Sequence, residues 1–154
     1  MISPIHQTFQ TTVQQDKKTA SVELPFSPAD IWGARTRYDV TGTVNNHPVR
    51  GELVSIGNRY FLRLGAAWLR DSGVAVGETV TVTLALEGPQ VDNLAEDIAA
   101  ALLANQQAKL FFESLPTFYR KNYIRWIESA KRGETRARRI ADMISLLEAG
   151  QRER

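Results

Sequence analysis

Between Thr117 and Ile140 the chain carries Arg120, Lys121, Arg125, Lys131, Arg132, Arg136, Arg138 and Arg139 against only Glu128 and Glu134. Eight basic residues minus two acidic ones leave a local charge of +6. The densest part is WIESAKRGETRARR, Trp126 to Arg139. Guanidinium and ammonium groups at this density suit one task above others, the charge-assisted binding of phosphate or carboxylate. Lys131 and Arg132 fall where a helix is expected to end, and its dipole favours cations there. Thr135 to Arg138 open the next expected helix, whose unpaired N–H groups favour an anion. Lys131, Arg132, Thr135, Arg138 and Arg139 are therefore the candidate anion- or partner-binding residues.

Two residues of the stretch read as structural anchors instead. Arg136 lies about 40° from Ile140 on a helical wheel, at the edge of an apolar stripe. Its stem is expected to pack on Trp126 or Tyr123 and its head to pair with Glu128 or Glu134. Trp126 falls inside the apolar arc of its own helix, which favours core packing over base stacking. Arg120, Lys121, Arg125 and Arg132 lie off that arc, where an amphipathic helix places solvated charges.

Signatures of enzyme chemistry are thin. The two histidines, His6 and His47, are far apart in sequence, and His47 sits in the turn Asn45-Asn46-His47-Pro48. No spacing of His, Asp and Glu supplies a metal ligand set. Neither a nucleophile elbow, a phosphate-binding loop nor a Gly-x-Gly-x-x-Gly occurs. Glu23 and Asp39 fall on the polar faces of their strands, which points to solvation rather than to a catalytic pair. The expectation is a non-enzymatic protein with no catalytic residue, metal or cofactor.

Composition bounds the remainder. With 43% hydrophobic and 23% charged residues, the 154-residue chain can bury a core. A net charge of +2 makes it no general polyanion binder, so any such role comes from clustering. The absence of cysteine excludes disulfides, thiolate metal sites and a cysteine nucleophile, and fits a reducing compartment. The start, MISPIHQ, lacks a basic segment followed by an unbroken apolar one, so no leader is read from it. No apolar run reaches the length of a membrane span. A cytoplasmic protein is expected.

The elements that must carry these residues fall into two halves. From Ile5 to Leu86 the apolar period is two. Ala20, Val22, Leu24 and Phe26 alternate with polar residues, as do Tyr38, Val40, Gly42 and Val44, then Tyr60, Leu62 and Leu64, then Val80, Val82, Leu84 and Leu86. Gln14–Lys18, Asn45-Asn46 and Gly57-Asn58 read as hairpin connections. Ser27-Pro-Ala-Asp-Ile-Trp32 breaks the strands after Phe26 and starts a helical turn, and Ala66–Val74 reads as another, ended near Gly73. Five or six strands of this kind predict a small closed or split barrel, which hides sheet edges. Trp32 and Trp68 are expected half-buried in its loops.

After Glu87-Gly-Pro-Gln the period becomes 3.6. Four helices are expected: one capped by Asp92 or Asn93, one over Lys109–Leu115, one over about Thr117–Arg132 and stopped by Gly133, and one capped by Thr135 and closed by Gly150. The fold class is α+β, a β-barrel domain at 1–88 followed by an all-α module at 92–150. A helical module this small is marginal by itself, so its stripes are expected to pack partly on the barrel.

A resemblance joins these halves. Phe111-Phe112-x-x-Leu115-Pro116, the spacing of Tyr123, Trp126 and Ile127, then Ala130-Lys131-Arg132 and Glu134-Thr-Arg-Ala-Arg-Arg-Ile140 resemble the YdeI/OmpD-associated family, also called bacteriocin-protection proteins. Gln106-Gln107-Ala108 departs from the Pro-containing junction expected there. The preceding half, through its strand–Asn45-Asn46–strand turn and Gly73-Val-x-Val-Gly77-Glu-Thr-Val80, resembles a domain of unknown function similar to double-split, AbrB-like barrels. Neither likeness brings an established reaction. The family name implies a link to envelope stress and tolerance of cationic antimicrobial agents.

The leading expectation is an accessory protein that binds an anionic or protein partner through the Arg-rich hairpin. A nucleic-acid regulator ranks second, prompted by the AbrB-like barrel and held back by the low total charge. An enzyme or small-ligand binder using a cleft between barrel and helices ranks third. AbrB-like barrels form by swapping between chains, whereas this one has strands enough to close by itself, so both monomer and homodimer are carried forward.

Overall fold

The computed structural model describes residues 6–154. Residues 1–5, which hold most of the segment read for a leader and the start of the expected barrel domain, lie outside the described residues. The described residues divide into two compact units, one formed by 6–34 with 38–87, the other by 35–37 with 88–154.

The first unit is built from β1 (Gln7–Thr12), β2 (Gln14–Asp16), β3 (Thr19–Glu23), α1 (Pro28–Trp32), β4 (Asp39–Val44), β5 (His47–Glu52), β6 (Val54–Ile56), β7 (Arg59–Leu64), α2 (Ala66–Ser72) and β8 (Thr79–Leu86). Two four-stranded sheets result, ordered β1-β8-β4-β5 and β2-β3-β7-β6, and every pairing is antiparallel. Period-two alternation sends Val22, Val40, Val44, Leu62, Val80, Val82 and Leu84 into one core at 1% exposure or less. The strand count exceeds the five or six expected because two strands are only three residues long, too short to show alternation.

The turns explain the register. Asn45 and Asn46 adopt φ of 48° and 69°, so Val44 pairs with His47 across a two-residue hairpin. Gly57 takes φ 63° between the paired residues Ile56 and Arg59. The Gln14–Lys18 connection is tighter than expected: Gln14–Asp16 is strand, and only Lys17 and Lys18 turn. Pro28 starts α1, and Gly73 ends α2 at φ 77°. Trp32 is buried rather than half-buried, with the Phe26 ring 5.5 Å away. Trp68 is half-buried and donates its indole N–H to the Pro48 carbonyl at 2.7 Å.

The second unit opens with a 3₁₀ turn at Val91–Asn93, then α3 (Glu96–Leu103), α4 (Gln106–Ser114), α5 (Thr117–Glu128) and α6 (Gly133–Glu148). Ile98, Leu102, Ala108, Phe112, Ile127 and Met143 form its core at 0% exposure. Each unit thus has a hydrophobic cluster of its own. No helix among the described residues is long and apolar enough to cross a membrane.

Helix boundaries differ from expectation where local caps compete with periodicity. Asn93 closes a reciprocal capping box with Gln90 around the 3₁₀ turn, so α3 begins only at Glu96. The Asn105 side chain accepts from the Ala108 amide at 3.0 Å, which starts α4 three residues before Lys109. The third helix ends at Glu128, with Ser129 as its C-cap. Gly133 is the first residue of α6 rather than a left-handed stop, and Arg132 precedes it in extended conformation. Thr135 is therefore the third residue of α6, not its cap.

One close approach fixes the larger sheet. Gly42 faces Leu84 across β4 and β8, and a Cβ there would stand 1.8 Å from the Thr83 carbonyl oxygen. Gly57→Ala meets no atom within 4 Å and carries only the left-handed penalty of about 1–2 kcal/mol. Gly42→Ala has to displace backbone, so its loss in urea unfolding should exceed roughly 2 kcal/mol. Equal losses for the two variants would contradict the packing described.

Candidate functional site

The hairpin α5–α6 sorts its basic residues into distinct environments. Arg120 is 2% exposed, contrary to the expected solvated position. It donates to the Pro89 carbonyl and to the Thr117 hydroxyl, both at 3.0 Å. The buried face of α5 is Thr117, Arg120, Tyr123, Ile124 and Ile127. Its centre is turned about 70° from the arc drawn through Tyr119, Tyr123, Trp126, Ile127 and Ala130. That arc omitted Ile124, whose burial together with Thr117 carries Arg120 inward and leaves Trp126 half-buried at the edge.

Arg136 is half-buried and grips Asp97 with both forks of its guanidinium, Nε to Oδ2 at 2.6 Å and Nη2 to Oδ1 at 2.9 Å. The expected partners were Glu128 and Glu134. Asp97 lies in the first turn of α3, where a carboxylate is favoured by the dipole, and presents both oxygens to the fork. Glu128 contributes only through its field. The hydrogen bonds from Arg136 hold the Asp97 carboxyl below its ordinary range, against a smaller opposing effect of burial.

Arg139 closes the C-terminus of α5. Its Nη1 donates to the Trp126 carbonyl at 2.8 Å and to the Ser129 hydroxyl at 3.1 Å. Ser129 in turn donates to the same carbonyl at 2.8 Å. The Arg139 guanidinium carbon stands 5.4 Å from the centre of the Trp126 ring, and that of Arg154 stands 4.8 Å from it. Arg152 lies 5.0 Å from the Tyr119 ring, and the Tyr123 hydroxyl donates to the Gln151 carbonyl at 2.6 Å. Burial raises the Tyr123 phenol above its ordinary value, and the charge of Glu153 adds to the effect. The segment after Gly150 thus lies along the aromatic row of α5, a feature that α6 periodicity does not reveal.

Lys131, Arg132 and Arg138 are exposed. Among the described residues, Lys131 and Arg138 make no hydrogen bond or ion pair. Arg132 meets Glu134 loosely at 3.5 Å, with the two side chains 80% and 77% exposed. Thr135 is half-buried, and no side chain caps the first amides of α6. Among the described residues, then, Lys131, Arg132 and Arg138 stay exposed at the hairpin turn, whereas Arg136 and Arg139 are tied to protein groups.

A concavity of about 700 Å³ beside Trp126 is lined by Asn122, Arg125, Ser129, Glu153 and Arg154 as well. A second, of about 960 Å³, is lined among others by Arg35, Lys109 and Glu113 and by the apolar Val91, Leu94 and Leu103. There Arg35 pairs with Glu113 at 2.9 Å and donates to Gln90 at 2.8 Å, while Lys109 stands 3.9 Å from Glu113. The i,i+4 spacing of Lys109 and Glu113 was the one sequence signal of this cluster. No group of three or more His, Asp or Glu side chains suited to a metal ion occurs among the described residues.

The Arg136–Asp97 pair carries a pH signature. A carboxyl held low in the folded state stabilises above its unfolded pKa of about 3.9 and loses that contribution as pH falls through the lower folded value. Arg136→Ala should cost about 0.2–1 kcal/mol near neutral pH, the range for a solvent-exposed pair. Its deficit against the native chain should shrink on acidification through that window. Arg120→Ala should cost several-fold more than Arg125→Ala, which removes an exposed side chain and should stay within about 0.5 kcal/mol. Thermal melts of the variants at neutral and acid pH read both differences.

No protein of curated function matches the chain in sequence. Two family models do match, a domain of unknown function (DUF1905) over residues 9–84 and the bacteriocin-protection, YdeI or OmpD-associated family over residues 93–150. The mostly β unit and the helical unit correspond to them in that order, and the fold is α+β. Residues 93–150 are thus similar to the bacteriocin-protection, YdeI or OmpD-associated family, and residues 9–84 before them to the DUF1905 domain.

Proposed function

We propose that this chain is a non-enzymatic accessory protein of the cytoplasm, linked to tolerance of bacteriocins and related envelope stress. In this reading it binds an anionic or protein partner through the turn of the α5–α6 hairpin. The carrying observation is the exposure of Lys131, Arg132 and Arg138 beside two arginines already committed to Asp97 and to the end of α5. Those committed groups fix the turn, and the exposed ones are left to a partner. Binding suits the groups on offer better than proton transfer. A guanidinium stays protonated at any physiological pH, so it holds charge and orients an anion without trading a proton. The family description, bacteriocin protection, supplies the setting.

Cells lacking the gene, challenged with bacteriocins, provide the test. The native chain should restore survival. The triple variant Lys131→Glu/Arg132→Glu/Arg138→Glu should not, while keeping the native melting temperature because none of the three side chains is buried. Full protection by the folded triple variant would remove the hairpin from the function.

A further inference from the structure

The outer face of α5 holds more than charge. Phe118, Asn122, Arg125 and Ser129 recur at i, i+4, i+7 and i+11, one strip about 60° wide. Phe118 is 64% exposed, and its ring meets Tyr119 edge-on at 5.2 Å. Trp126 borders the strip with two guanidiniums over its ring, those of Arg139 and Arg154. Arg125 lines the same concavity, where Glu153 is the one acidic neighbour. Like charges gathered this closely repel, and an anion placed among them relieves the repulsion. Arg139 is held by its Nη1, while its Nε and Nη2 make no hydrogen bond among the described residues. The surrounding charge has the same sign: residues 117–154 carry ten basic and five acidic side chains, +5, whereas residues 1–116 carry nine and twelve, −3.

The chemistry that uses all of these groups is a chain of phosphates bearing unpaired aromatic bases. An acidic peptide would engage the arginines and leave the Phe118 ring in water. A duplex keeps its ring faces stacked inside. A single strand offers phosphate to guanidinium and base to aromatic ring together, and bases stack on guanidinium planes as well as on rings. Phe118 and Trp126 are about 12 Å apart along the helix axis, room for more than one base at the about 3.4 Å rise of stacked nucleotides. We infer that the α5 face from Phe118 to Ser129 is a platform for single-stranded nucleic acid. Phe118 and the guanidinium-covered Trp126 stack bases, and Arg125 and Arg154 hold phosphates. The inference rests on the reading of the hairpin as an anion-binding surface and names its partner.

Fluorescence anisotropy of labelled oligothymidine and oligouridine with the full chain tests it. Binding should weaken steeply with salt. Phe118→Ala, at a position outside the core, should lose roughly tenfold in affinity, the order of one base stack, with an unchanged melting temperature. Arg125→Glu should abolish binding at moderate salt. No binding by the native chain at low salt overturns the inference. So does native affinity in Phe118→Ala, or displacement by polyglutamate or duplex as effective as by single strand, since either marks an unspecific cationic surface. Displacement by free mononucleotide as effective as by the oligomer overturns the single strand as partner. The two readings separate cleanly: if the hairpin triple variant fails to protect cells while the native chain ignores oligonucleotides, the hairpin reading survives and the platform does not.

Discussion

The last turn of a helix leaves carbonyl groups without donors, and in this hairpin an arginine from the neighbouring helix supplies one. Arg139 reaches from α6 to the Trp126 carbonyl and the Ser129 hydroxyl. That contact satisfies a carbonyl in the last turn of α5, and it seats the indole of Trp126 under a cation. It also orders the Ser129 end of the strip that carries Phe118 and Arg125. The apolar stripe of α6, Ile140, Met143 and Leu147, buries in the same core as Tyr123 and Ile127 of α5. Packing holds the two helices together, and the cap fixes how they finish. A lysine in place of Arg139 would retain the charge and lose the forked donor geometry.

Identical side chains meet four different fates within one short segment. Arg120 is buried against a carbonyl and a hydroxyl, Arg136 is forked onto a carboxylate, Arg139 caps a helix, and Arg125 and Arg138 face water. The sum of +6 over this region therefore overstates what a partner can feel. A guanidinium compensated by Asp97 contributes little field, whereas exposed Lys131 and Arg138 contribute in full, screened only by salt. Partner recognition is a property of the uncompensated remainder, and its position is dictated by where the fold spends the others.

Strand alternation, the Asn45-Asn46 turn, the helix stop near Gly73 and the division into β and α halves were legible in the sequence, because each is set by residues close in the chain. Arg136 was legible as the residue at the edge of a stripe. Its partner was not, since Asp97 lies 39 residues away and helical periodicity carries no information about which helix packs where. The burial of Arg120 was missed for a related reason: a charged residue was weighed by type, while Thr117 and Ile124 turned the buried face toward it. Boundaries failed where a side chain overrode the period, at Asn93, at Asn105 and at Ser129. The aromatic row under Arg152 and Arg154 depends on a segment with no periodic signal at all.

Gly133 has a consequence of another kind. At the first position of α6 its backbone is not left-handed, and a Cβ there would touch nothing within 4 Å. Neither sterics nor dihedral geometry requires a glycine, and proline or alanine is better suited to that position. What glycine adds is chain entropy in every state that is not fully ordered. In the folded hairpin the position is helical, so the extra freedom belongs to the unfolded chain. Gly133→Ala should raise stability by about 0.4–1 kcal/mol without altering the turn that carries Lys131 and Arg132.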